Sequence, residues 1–188
     1  MPHQTFRFAD PERFVAGTVG EPGQRAFFLQ VREGSRLATV LLEKEQVQAL
    51  AERMDELLDQ VVRRTGGDAP VPALPPDDVE DTEPLEQPIE SEFRVGTMTL
   101  AWDNDVGRVV VEAFGTGEEG DAVPDEEAPP ERDVMVVSIS GTAARAFAKR
   151  AHALVGAGRP ACPLCALPLD PKGHVCPRQN GHMRRETE

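Results

Sequence analysis

The chain has 188 residues, 39% of them apolar, with 17 prolines and a formal charge of −13. That length allows one domain or two small ones, and the proline content predicts stretches that do not pack. The negative charge argues against a general nucleic-acid binder, because phosphate contacts need a basic face. Residues 141–188 nevertheless carry eight Lys/Arg against three Asp/Glu, so the acidic excess belongs to residues 1–140.

In chain order, "MPHQTFRFADPERF" has no apolar core of signal-peptide length, and no window approaches 18 continuous apolar residues. The expectation is a cytoplasmic protein without a membrane span. "QTFRFA" sets Phe6 and Phe8 on one face of a short strand. "ERFVAGTVG" and "QRAFFLQVRE" read as strands joined by the turn "GEPG", and "RLATVLL" follows the turn "EGSR" as a fourth. In "EKEQVQALAERMDELLDQVVRR" the residues Val47, Leu50, Met54, Leu57, Leu58, Val61 and Val62 recur at spacings that share a helix face, and Gly66–Gly67 ends it.

Residues 67–91 are rich in Pro, Asp and Glu and lack periodicity. They are expected to form an extended, mobile, acidic linker that folding does not need. Strands resume with "EFRVGTMTLAWD" and "RVVVEAFG". A second acidic loop, 116–133, leads to the strand "VMVVSIS". "GTAARAFAKRAHALVGAG" is a second helix, with Ala144, Phe147, Ala148, Ala151, Leu154 and Val155 on its apolar face and Ser140 or Thr142 as cap.

The halves match in order. "FVAGT" at 14–18 parallels "FRVGT" at 93–97, "QRAFFLQV" parallels "GRVVVEAF", and Ala49, Ala51, Arg53 and Leu57 parallel Ala146, Ala148, Arg150 and Leu154. These matches predict an α+β fold of two repeated antiparallel strand–strand–strand–helix units, each helix covering a face of its own sheet. The layout expected is a first repeat at 1–66, the linker at 67–91, a second repeat at 92–157 and a zinc-binding tail at 158–188.

All three cysteines lie in "CPLCALPLDPKGHVCPRQNGH", residues 162–182. Three thiols cannot all pair within the chain, so a metal is the better reading. Cys162 and Cys165 form a C-x-x-C turn; His174 and Cys176 follow after a Pro- and Gly-containing loop. The set Cys162, Cys165, His174, Cys176 predicts a closed structural Zn²⁺ site, a zinc-ribbon-like knuckle that staples a tail too poor in apolar residues to fold alone. His174 precedes Cys176 by two residues, so in an extended segment both point to one side. His182 is the alternative to His174, reaching the metal only if "PRQNG" folds back; Asp170 or a water is a further one. A redox C-x-x-C is the competing reading, and no βαβ pattern supports it.

"GTVGEPGQRAFFLQVREG", "LEKEQVQALAERMDELL", "FRVGTMTLAW" and "GRPACPLCALPLDPKGHVCPRQNGH" together resemble an uncharacterised repeat-protein family of actinobacteria. The resemblance spans nearly the whole chain outside the acidic loops and implies no activity. Its tail pattern falls on Cys162, Cys165, His174, Cys176, Arg178 and Asn180.

No catalytic motif of the G-x-S-x-G, P-loop or G-x-G-x-x-G type occurs, and no catalytic residue is assigned. His3 lies near a terminus, His152 on a polar helix side, and Trp102 at the end of an apolar strand where packing is expected. The functional expectation is a non-enzymatic zinc-binding adaptor whose tail docks a protein partner. The alternative is an enzyme or small-anion binder with Arg25 and Arg108 meeting between the repeats. Nucleic-acid binding through Arg159, Lys172, Arg178, Arg184 and Arg185 is the least favoured, because the acidic body opposes it.

Overall fold

The computed structural model describes residues 3–74, 79–117, 132–158, 162–165, 169 and 176. The fold is α+β. Helix α1 (Lys44–Arg64) forms where the apolar spacing predicts it and buries Val47, Leu50, Ala51, Met54, Leu58 and Val61. At its start Glu43 N–H donates to Gln46 Oε1 at 2.8 Å, satisfying a group that the helix cannot. Helix α2 (Gly141–Gly156) is capped by Ser140, whose side chain accepts from Ala143 N–H.

Strands β2 (Arg13–Val19), β3 (Ala26–Glu33) and β4 (Arg36–Leu42) form one antiparallel sheet in chain order. Strands β5 (Val95–Asp103), β6 (Arg108–Gly115) and β7 (Val134–Ser140) form a second antiparallel meander. The order strand–strand–strand–helix therefore occurs twice. The opening strand β1 (Thr5–Phe8) precedes the first of these runs but pairs parallel to β7, Thr5 opposite Val134 and Phe8 opposite Val137. Gln4 N–H on Asp133 and Val134 N–H on Gln4 anchor its start.

The helices do not each cover their own sheet as expected. The two helices pack chiefly on each other; of the strands, α2 meets mainly β2, and α1 meets β5. Gln46 Nε2 donates to the Val95 and Gly96 carbonyls at 3.1 and 3.0 Å; Arg150 Nε donates to the Ala16 carbonyl at 2.8 Å. Each helix is thereby tied to the first strand of the other run. Phe14 of β2 stacks on Phe147 of α2 with centroids 4.7 Å apart. One core results, joining Leu29 and Val40 of the first sheet, Val111 and Val137 of the second, and Met54 and Phe147 of the helices. Two faces of sheet closed by two helices bury more apolar area than either run closing on itself.

The outer face of the first sheet is covered as well. Val15, Gln30 and Thr39 stand side by side across β2, β3 and β4 and are almost fully buried. Their cover is the acidic segment 79–94. Leu85 seats on Gly17, where an added Cβ would come within 2.5 Å of its side chain. Glu86 pairs with Gln30 through its main chain, and the segment ends beside β4, with Glu92 N–H on the Thr39 carbonyl and Leu41 N–H on the Phe93 carbonyl. The expectation of an unpacked linker does not hold over 79–91. Its charges meet Arg13, Arg32 and Arg150 on the body, contacts that work against the entropy of ordering it.

Candidate metal centre

Helix α2 ends at Gly156, its Ala157 N–H returning to the Ala153 carbonyl and its Ala157 carbonyl accepting from Arg25 Nη2 at 3.0 Å. Residues 163–165 make a turn, which brings Cys165 back beside Cys162.

Cys162 and Cys176 are buried, Cys165 is half-buried, and none of the three is in a disulfide. Their sulfurs lie within 4.8 Å of one another, and Cys162 Sγ is 3.9 Å from Cys176 Sγ. A disulfide needs about 2.05 Å. Two thiolates on one tetrahedral zinc, each about 2.3 Å from it, stand about 3.8 Å apart. The Cys162–Cys176 spacing is compatible with two ligands sharing an ion.

Electrostatics favours the same use. The backbone N–H of Leu164, with that of Cys165 second, holds the Cys162 thiol down to about 6, against an ordinary 9.0. Those two N–H groups belong to the C-x-x-C turn itself. A thiol held there is a thiolate at neutral pH, and the thiolate is the form that binds metal.

The structure thus brings together three of the four predicted ligands. His174, its alternative His182, and Asp170 lie outside the described residues, as do Arg159, Lys172, Arg178, Asn180, Arg184 and Arg185. Arg25 and Arg108 are held apart in their partners. Arg25 bonds the end of α2 and lies over Phe27, whereas Arg108 bonds Ser138 and Asp10. Arg25 instead shares a crevice of about 480 Å³ with Lys44. His152 is 43% exposed with Nε2 3.0 Å from Asp55. Trp102 packs against the core edge, and His3 is exposed.

A family model matches residues 6–176, ending on the third cysteine. The chain belongs to the family described as "Protein of unknown function (DUF3090)". No curated protein and no solved structure matches it at a significant level. Both strand–helix runs, the strap at 79–94 and the three thiols all fall inside the family's extent, whereas His182 falls outside it. No described helix is long and apolar enough to cross a membrane.

Sequence reasoning missed a second polar site, where the strap meets the body. Arg13 grips Asp81 with Nε and Nη2 at 2.5 and 3.0 Å and also reaches the Glu83 and Pro84 carbonyls. Arg150 bonds Asp81 Oδ1 at 2.8 Å, the Asp81 carbonyl, and the Glu83 carbonyl at 2.7 Å. The hydrogen bond from Arg13 holds the Asp81 carboxyl below its usual range and raises Arg13. Burial lowers Arg150, all three of whose nitrogens donate to carbonyls while only Nη1 also reaches the carboxylate. The one signal in the sequence was Gly17, a glycine inside a strand, which marks close approach by another piece of chain.

Proposed function

We propose that this chain is a non-enzymatic zinc-binding interaction module, in which Cys162, Cys165, His174 and Cys176 hold one structural Zn²⁺. The observation that carries the reading is the cluster of three cysteine sulfurs within 4.8 Å of one another. A family match that includes Cys176 and stops short of His182 supports His174 as the fourth ligand. The metal serves as a staple that lets a short basic tail hold a shape, at a gain on the order of 10 kcal/mol. The shaped tail then presents its surface to a protein partner in the cytoplasm.

The layout that goes with this reading is two duplicated units, 1–66 and 92–157, a linker at 67–91 and the tail at 158–188. The doubled element order and the reciprocal helix–strand ties support it. Phe14 should then overlay Phe93 when the units are superposed.

The test is zinc content after dialysis against a chelator. The intact chain and His182→Ala should each retain about one zinc, and His174→Ala and Cys176→Ser should lose it. Metal retained by His174→Ala and lost by His182→Ala reverses the fourth ligand. Absence of zinc from all four overturns the metal reading. Affinity capture with and without chelator then tests whether a partner depends on the tail.

A second reading, small-anion binding, rests on the crevice that Arg25 and Lys44 share. A rise in thermal midpoint with phosphate, lost in Arg25→Ala, is its test.

A further inference from the structure

Residues 79–86 sit on the body as a ligand sits in a receptor. Beyond Arg13, Arg150 and Arg32, which take its carboxylates and carbonyls, Gln30 reads its main chain in both directions. Gln30 Nε2 donates to the Glu86 carbonyl at 3.0 Å, and Gln30 Oε1 accepts Glu86 N–H at 2.7 Å. Gly17 leaves a notch that Leu85 fills. Lys149 Nζ lies 3.3 Å from Glu80 Oε2. The recognition is therefore of an extended backbone, three acidic positions (80, 81 and 86) and one leucine, made almost wholly by side chains of the body.

The receptor surface is larger than this occupant. A cavity of about 320 Å³ remains beside the strap, walled by Phe14, Val15, Ala143, Ala146 and Phe147. Val79 stands on its rim and is 38% exposed. A valine there leaves apolar wall in water, which a larger apolar side chain would cover.

We propose that this surface is a docking site for an extended acidic segment of a partner protein, and that residues 79–86 are its built-in competitor. The segment has the form large apolar–Glu–Asp–x–x–x–Leu–Glu, the large residue taking the place of Val79. The charge match is local: Arg13, Arg32 and Arg150 gather on this face of a chain whose formal charge is −13. A nucleic acid would satisfy the arginines but not the leucine notch or the amide of Gln30, and the acidic body would repel it. The tethered strap acts at an effective concentration on the order of millimolar, so an identical segment from outside cannot compete. A better-filled cavity supplies the difference. The inference rests on the interaction-module reading and places one partner contact on the body, separate from the tail.

The experiment uses the full chain with its strap weakened by Asp81→Ala and Leu85→Ala, and two labelled synthetic peptides read by fluorescence anisotropy. One peptide is VEDTEPLEQ, residues 79–87; the other carries Val79→Phe. The weakened chain should bind the first peptide at least tenfold more tightly than the intact chain does. The Val79→Phe peptide should bind roughly tenfold more tightly again. Adding Arg150→Ala should abolish binding. Failure of the weakened chain to bind either peptide, or binding indifferent to Arg150, overturns the proposal. Should the weakened chain not fold, the intact chain carrying Val79→Phe gives the second readout: its thermal midpoint should rise by several degrees, and a fall overturns the proposal. Neither result bears on zinc-dependent capture through the tail, which is measured on its own.

Discussion

Two ion networks hold the molecule together, and they are built inside out from one another. At the strap, one carboxylate lies between two arginines: Asp81 is 30% exposed, Arg13 and Arg150 only 11% and 15%. Between the helices, one arginine lies between two carboxylates: Arg145 is 7% exposed, Asp55 and Asp59 37% and 57%. Burial opposes the Arg145 charge, but its hydrogen bonds to Asp59 and Asp55 outweigh that and its pKa is raised. The difference lies in redundancy. The buried cation of the helix pair has a spare partner near water, whereas the two cations of the strap share Asp81, and of these only Arg13 has a second carboxylate, Glu86, within reach. The lesson is that the better-buried side of an ion pair decides which deletion is costly.

The largest effect of a single substitution should follow from Asp81→Ala. It leaves Arg13 and Arg150 facing each other in partial burial, with Glu86 close to Arg13 only. A cost of about 3 kcal/mol in denaturant unfolding is expected. A cost below about 0.5 kcal/mol would mean that the strap contributes nothing to the folded state. Deletion of 79–86 should cost more still, since it also uncovers Val15, Gln30 and Thr39.

Next comes the seat of Leu85. Leu85→Ala should cost about 2–3 kcal/mol through the exposed sheet face, and Gly17→Ala about 1–3 kcal/mol through the clash. The double variant should cost clearly less than the sum, because an alanine at 85 makes room for the new methyl. Strict additivity in this cycle would show that the two residues do not touch.

The same comparison shows how much the sequence could say. Helix α1 was legible because its apolar spacing is a local property, as were the cap, read as Ser140 or Thr142, and the gathering of three cysteines, whose meaning lies in their spacing. The strap was not legible. Asp81, Glu83 and Glu86 read as solvated charge, since composition cannot reveal that arginines wait far away in the chain. The parallel pairing of β1 with β7 has the same character, with Gln4 bonded to Asp133 across 129 positions. Arg145 sat on a helix face read as polar, and the acids that bury it belong to the other helix.

A pH titration sharpens the contrast further. Asp81 has its pKa lowered in the folded chain, from an ordinary 3.8, first by the hydrogen bond from Arg13. A carboxylate depressed in this way contributes stability that is fully present above its unfolded value. That stability is lost as pH falls below 3.8 toward the folded value. Stability measured in urea should therefore be flat in this contribution above about pH 5 and decline below about pH 4. In Asp81→Asn that part of the decline should vanish, so the two curves converge in acid. Curves that stay parallel down to pH 3 would place the titrating group elsewhere.

The smallest effects are expected on the other network. Asp59→Asn removes one partner of Arg145, yet Asp55 Oδ1 remains at 2.8 Å and the Pro72 carbonyl at 3.2 Å, so the buried guanidinium keeps two acceptors. Asp59 is itself more than half exposed, so screening by water leaves about 1 kcal/mol or less to lose. His152→Ala should change stability by no more than about 0.5 kcal/mol, because both His152 and Asp55 reach solvent and Asp55 keeps Arg145. Combining Asp59→Asn with Asp55→Asn should break this tolerance, costing about 3 kcal/mol, far beyond the sum of the singles, as Arg145 is left buried without an anion. If Asp59→Asn alone costs as much as Asp81→Ala, redundancy is not what separates the two networks, and the exposure of the partner carboxylates has no bearing on which deletion the fold withstands.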